Sequence, residues 1–233
     1  MRRFAMPVLA FAIAAVALAQ SPPSDADKAK TKKALQELGE FVGQWNGSGE
    51  AKAAGKNTLW KETINWGWKF AKDGDSWIAF DVENGKYFKK GELRYRLKDK
   101  KYLFTVTNKD DKTEEYTGTI AKQRLVLERT DARTADVHKL TMSTAAEGVR
   151  FLLAYELQTG GKGLPTTVFK TTANKAGESL AGGGKKNECI VTGGLGTIAV
   201  SHNGKTYYVC CSGCRDEFNE NPQKYIDAAA KKK

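Results

Sequence analysis

Hydrophobic and polar residues alternate along most of the chain. In "LRYRL", Leu93, Tyr95 and Leu97 share one side of an extended backbone, with Arg94 and Arg96 opposite. Tyr102, Phe104 and Val106 do the same in "YLFTVT", and Val149, Phe151, Leu153, Tyr155 and Leu157 in "VRFLLAYEL". A period of two predicts strands with one buried face. The longest stripe is Trp60, Ile64, Trp66, Trp68 and Phe70, interrupted by Glu62. Turn signals separate the runs: "KDGD", "ENGK", "LKDKK", "NKDDK" and "TGGKG". About ten strands at near-regular spacing over residues 41–173, joined by short loops, predict an up-and-down antiparallel β-barrel. The stretch "ALQELGE" (34–40) suits a short helix leading into it, so the barrel domain spans 34–173. Residues 20–33, made of Ser, Pro, Asp, Lys and Ala, read as a flexible linker.

The pattern changes after residue 173. Residues 174–187, "NKAGESLAGGGKKN", form a Gly-rich linker with little to bury. The module that follows, 188–230, holds all four cysteines and is small enough to need a metal or disulfides for stability. Twenty residues separate Cys189 from Cys210 and three separate Cys210 from Cys214; Cys211 is additional. Two short β runs, "TIAVSH" and "KTYYVC", meet at Asn203-Gly204, a strong tight-turn signal. "RDEFNENPQKYIDAAAK" then predicts a helix, a break at proline and a second helix. One cysteine thus precedes a hairpin, one ends it and one opens a helix. That is a ββα, treble-clef-like knuckle, and it brings distant thiols together.

Thiolates suit Cu(I) and Zn(II), and a helix N-terminus lowers a thiol's pKa. Cys189, Cys210 and Cys214 are the core ligand candidates. Three thiolates suit trigonal Cu(I), whereas tetrahedral zinc requires a fourth donor. Cys211 and His202 are candidates for it, as is a water or a partner's ligand. His202 sits at the hairpin turn and reads equally as an exposed turn residue. Two rival readings stay open. Cys211-Ser212-Gly213-Cys214 is a C-x-x-C at a helix start, the arrangement of thiol oxidoreductases, and exported proteins carry disulfides, although the thioredoxin-type βαβ context is absent. The module can also be a structural zinc site that mediates contact with a protein partner.

"GKTYYVCCSGCRDEFNENPQKY", Gly204 to Tyr225, resembles the YHS domain, and the cysteine spacing is similar to the TRASH motif. The resemblance implies heavy-metal binding, with copper handling and metal sensing as contexts and a metal-trafficking protein as a conceivable partner. That family often follows its first cysteine with Gly-Met; here Ile190-Val191-Thr192-Gly193 follows, so no methionine ligand is available. At the other end, "LQELGEFVGQWNGSGEAK", with Gly43-Gln44-Trp45, Gly47 and Gly49, resembles the opening of lipocalin-like (calycin) barrels and of nitrobindin-like haem barrels. That likeness implies an apolar small molecule in the lumen, with Trp60, Trp66, Trp68 and Trp77 as candidate lining; alternatively, these rings fill a closed core. His138 shares a face with Leu140 and Met142. The nitrobindin-like family places its haem histidine on the last strand, and "TTVFKTT" has none, so His138 reads as a hydrogen-bonded or exposed side chain. No nucleophile or acid–base set stands out in the barrel, which points to a binding protein and not an enzyme.

Charge and the N-terminus set the compartment. Arg2 and Arg3 precede "FAMPVLAFAIAAVALA", which ends in Ala17-Leu18-Ala19. A basic start, a short apolar core and an A-x-A site predict a signal peptide cleaved after Ala19. The run is short for a spanning helix, so the mature protein is expected to be secreted or periplasmic with no transmembrane segment. Losing Arg2 and Arg3 takes the formal net charge from +11 to +9. Part of this excess lies in Lys28, Lys30, Lys32 and Lys33 and in Lys231 to Lys233. No nucleic-acid-binding module accompanies it. A basic surface of this kind is attracted weakly to anionic lipid or cell-wall polymers. The combined expectation is an exported protein that handles a soft ion, Cu(I) or Zn(II), through its cysteine knuckle.

Overall fold

The computed structural model describes residues 23–53, 55–177 and 187–231. The expected leader and most of the Gly-rich segment lie outside the described residues. Ten strands form a closed antiparallel barrel: β1 (Gly43–Ala53), β2 (Lys56–Phe70), β3 (Ser76–Glu83), β4 (Phe88–Arg96), β5 (Lys101–Asn108), β6 (Thr113–Ala121), β7 (Arg124–Thr130), β8 (Val137–Ala145), β9 (Arg150–Gln158) and β10 (Thr166–Lys175). Each strand pairs with its sequence neighbours, and β10 closes onto β1 with Trp45 opposite Lys175 and Glu50 opposite Lys170. Tight turns drive the meander. Between β6 and β7, Lys122 and Gln123 both take left-handed backbone (φ 50° and 61°), the geometry of a two-residue hairpin loop.

Strand alternation puts the aromatic stripe inside. Trp45, Trp66, Phe80, Phe104 and Phe151 are buried and pack ring on ring, with Trp66 and Phe80 centroids 4.6 Å apart and Phe41 edge-on to Phe151 at 5.3 Å. The glycines of β1 have a packing reason: a Cβ at Gly49 would lie 2.1 Å from the Trp60 ring, so only glycine lets Trp60 lie across that strand. Glu62 also faces inward and is buried. Its carboxylate accepts hydrogen bonds from Trp60 Nε1 (2.7 Å) and Thr171 Oγ1 (2.6 Å). Near that end of the barrel, Trp60, Tyr87, Phe88, Tyr155 and Phe169 form a second ring cluster, with Tyr87 stacked on Phe169 at 4.3 Å.

Two expectations change. Trp77 does not line the lumen: its neighbours Ser76 and Ile78 take the inner face, so Trp77 points outward, beneath the Arg94 guanidinium at 4.3 Å. The stretch 20–33 is not simply a flexible linker, because Asp25–Gln36 form helix α1. Ser24 caps it by accepting from the Asp27 N–H, Asp25 and Asp27 sit in the first turn, and Leu35 is buried. A capped start with acids at the positive end of the helix dipole outweighs the polar composition, and packing on β3 and β4 completes it. The helix is tied to the barrel by Tyr102 Oη, which donates to Ala34 O at 2.9 Å.

Beyond the barrel, β11 (Asn187–Glu188) pairs with β12 (Leu195–Gly196), and β13 (Ile198–His202) with β14 (Lys205–Val209). Helices α2 (Ser212–Glu220) and α3 (Pro222–Ala230) follow. The structure is thus mainly β, with a small cysteine-bearing unit at the C-terminal end.

The Glu62 network tests the barrel packing. Glu62→Ala leaves the Trp60 N–H and the Thr171 hydroxyl without their acceptor and is expected to cost about 1–3 kcal/mol in urea unfolding. Glu62→Gln keeps an acceptor and is expected to cost less.

Candidate metal centre

The hairpin β13–β14 turns through Asn203 and Gly204, both with positive φ (49° and 73°). This turn returns the chain so that Cys210 follows directly on β14. Cys211 is the residue before α2, with extended backbone, and Cys214 falls in the helix's first turn. The Cys189 segment is pinned beside β14 by Ile190 N–H donating to Tyr208 O (2.9 Å). It is closed into a turn by Gly193 N–H donating to Cys189 O (2.8 Å). Phe218 and Tyr225 fill the space behind, buried against Tyr207 and the helices.

The outcome is a cluster of free, buried thiols. The sulfurs of Cys189, Cys210 and Cys214 all lie within 4.8 Å of one another, with Cys210 and Cys214 at 3.4 Å. Metal–sulfur bonds of about 2.3 Å place trigonal ligands about 4.0 Å apart, so this triad can hold a metal ion after small adjustments. Cys211 Sγ is 4.0 Å from Cys210 Sγ but stands outside the mutually close set. His202 is also outside it: at the end of the hairpin it packs edge-on against Phe218, centroids 6.3 Å apart. Thr192 Oγ1 lies 3.5 Å from Cys210 Sγ.

The thiols share protons. Hydrogen bonds from Cys210 and Cys214 hold Cys189 well below the usual thiol range, and the bond to Cys189 pushes both Cys210 and Cys214 up. Cys211 is likewise held down, by hydrogen bonds from Cys210 and Cys214 and then by backbone hydrogen bonds at Cys214 and Trp68. A positive group stands nearby. Lys32 of α1 lies between the rings of Phe70 (5.2 Å) and Tyr225 (5.6 Å). Burial lowers its pKa and the neighbouring Lys224 adds to this, while Cys214 and Cys189 act in the opposite sense.

The centre is therefore built against the barrel. A Cβ on Gly213 would lie 1.9 Å from the Trp68 carbonyl oxygen, so α2 sits against β2 at a distance that leaves no room for a side chain there. Gln36 Nε2, at the end of α1, donates to Thr192 O at 2.8 Å. Of the other candidate residues, Trp66 and Trp68 are fully buried within the barrel packing, and Trp60 lies in the ring cluster at the far end. His138 faces inward, with Nδ1 2.5 Å from Tyr155 Oη. Burial, and then Arg129, lower its pKa. The sequence reading missed Lys32 and the role of Gly213. The only available signal was a glycine inside "CSGC", where a helix former would otherwise serve.

No family model matches the chain, so none supports the YHS or TRASH likeness, and no curated protein matches it. Among solved structures, the crystal structure of Rv2717c from M. tuberculosis is similar. The TM-score is 0.39 at 15% identity, covering 61% of this chain and 96% of that one, a likeness too distant to carry an argument.

The seat of α2 can be probed directly. Gly213→Ala drives a methyl into the Trp68 carbonyl and is expected to cost about 1–3 kcal/mol and to speed amide exchange across α2. Gly67→Ala, one residue away on β2 with open space around its Cβ position, is expected to leave that exchange unchanged.

Proposed function

We propose that the chain is an exported metal-binding protein, not an enzyme, that handles a soft ion through Cys189, Cys210 and Cys214. The observation that carries this reading is the three buried sulfurs within 4.8 Å of one another. Among the described residues the mutually close set holds three thiolates and no fourth donor, with Cys211 just beyond it, which favours Cu(I) over Zn(II). Lys32 offsets part of the negative charge that three thiolates gather. The resemblance of Gly204–Tyr225 to YHS and TRASH sequences supports metal trafficking or sensing, with a metal-trafficking protein as partner. The basic, apolar N-terminus ending in Ala17-Leu18-Ala19 supports delivery to the periplasm or the exterior. Cys211 serves as an auxiliary thiol beside the triad.

Anaerobic titration with Cu(I) and with Zn(II), read by native mass spectrometry, tests the reading. One ion per chain is expected, bound more tightly as Cu(I). Serine at Cys189, Cys210 or Cys214 is expected to weaken binding about a hundredfold or more, and Cys211→Ser to stay within about tenfold. Two stable disulfides in the freshly purified protein, or unaltered binding by a Cys189→Ser/Cys214→Ser variant, would overturn the assignment.

The proton bookkeeping gives a second expectation. Cys210 and Cys214 hold their protons in the free cluster, because their pKa values are raised. The metal must displace those protons, so binding releases acid and strengthens as pH rises, by about one to two decades per unit in the neutral range. Affinity independent of pH in competition titrations would contradict it. Lys32→Met is expected to weaken binding of the ion-loaded, anionic site about tenfold, with Lys32→Arg restoring part of the loss.

A further inference from the structure

Leu59 and Leu164 stand out among the described residues as large apolar side chains left exposed, at 73% and 91% of their full surface. They belong to the same rim of the barrel. Leu59 is opposite Glu50 on β1, which is opposite Lys170 on β10, and Leu164 lies in the loop that feeds the start of β10. Between the strands runs a surface groove of about 460 Å³, lined in part by Ala51, Lys52, Leu59, Val168 and Lys170. The exposed charges flanking the two leucines are Lys52, Lys56, Lys162 and Lys170, against the single acid Glu50. Elsewhere on the rim, Asp111 is engaged with Lys89 (2.7 Å), Asp110 with Lys109 (2.6 Å) and Asp136 with the Gly160 N–H (2.6 Å), while Glu83, opposite Thr63 at the end of β3, is exposed.

Three occupants can be weighed on this chemistry. An added strand finds no free edge, because the barrel is closed. A second copy would set one lysine cluster against another across a two-fold contact, which repels. An anionic bilayer matches both features: apolar tips enter the headgroup–acyl boundary while lysines meet phosphates. We propose that this rim docks the barrel on an anionic lipid bilayer, with Leu59 and Leu164 inserting. The cysteine cluster sits at the other end of β2, beside Trp68, about 30 Å along the strand from Leu59. Docking therefore leaves the buried thiol cluster at the end of the barrel remote from the lipid.

The test is co-sedimentation of the chain beginning at Gln20, which omits the apolar leader, with vesicles of phosphatidylcholine alone or containing phosphatidylglycerol. Binding is expected to the phosphatidylglycerol vesicles and to weaken with added salt. Leu59→Ser/Leu164→Ser and, separately, Lys52→Glu/Lys170→Glu are each expected to lower partition about tenfold or more. The circular dichroism spectrum should be unchanged, since all four side chains are exposed. Failure to bind the anionic vesicles overturns the proposal. So does equal binding by the double-leucine variant, which would mean attraction by net charge alone. A dimer in sedimentation velocity that the leucine substitutions dissociate would assign the face to a second copy instead. Metal titration of the same variants separates this proposal from the metal reading: it is expected to be unchanged whether or not the rim binds lipid.

Discussion

The contact between Gly213 and the Trp68 carbonyl sets the geometry of the whole C-terminal unit. A helix start can be held that close to a strand only where the helix residue has no side chain. Once the start of α2 is fixed there, Cys214 in its first turn is fixed too, and Cys211 reaches the backbone at Trp68. Cys210 and Cys189 then arrive from the hairpin side, held by the Ile190–Tyr208 hydrogen bond. The barrel thus acts as one wall of the thiol cluster. A unit of this size has too little material to bury four cysteines by itself, yet all four are buried here.

The same docking explains where the counter-charge comes from. Lys32 belongs to the helix that precedes the barrel, far in sequence from the cysteines, and its ammonium group rests between a barrel ring and a module ring. Aromatic faces stabilise the cation while burial works against it. Thiolates nearby favour its charged form, so the lysine and the thiols support each other's ionisation. Placing one partner on each side of the contact makes the seating of the module and the charge state of the cluster interdependent.

Inside the barrel, the aromatic side chains are occupied with one another. Trp66 touches Phe80, Phe104, Phe151 and Phe41, and the far end carries its own ring cluster. Several inward polar groups are paired in short chains, His138 with Tyr155, Tyr116 and Asn108 with Glu114, and Trp60 and Thr171 with Glu62, whereas Trp66 Nε1, Trp68 Nε1 and Ser76 Oγ are buried without a hydrogen-bond partner among the described residues. Such pairing is what buried polar atoms require in a low-dielectric interior.

Much of this molecule was legible in one dimension. The period of two in β2, β5 and β9 fixes which residues face inward, because a strand's side chains alternate whatever it pairs with. Asn203-Gly204 fixes the hairpin, and the spacing of Cys189, Cys210 and Cys214 foretells their convergence, since both are matters of local chain geometry. Trp77 reads as a core residue by the size of its ring, although the alternation of β3, with Ser76 and Ile78 inside, puts it outside. Helix α1 was missed because its polar residues resemble a linker until tertiary contacts bury Leu35 and shelter Lys32. The sequence by itself therefore determined the strand faces and the turns, which neighbours along the chain set, and it named the three thiols that converge. Only the tertiary structure decided that the module sits on the barrel, that Gly213 must have no side chain, and that Lys32 joins the centre. Those depend on close approach between segments separated by more than a hundred residues, which no local pattern encodes.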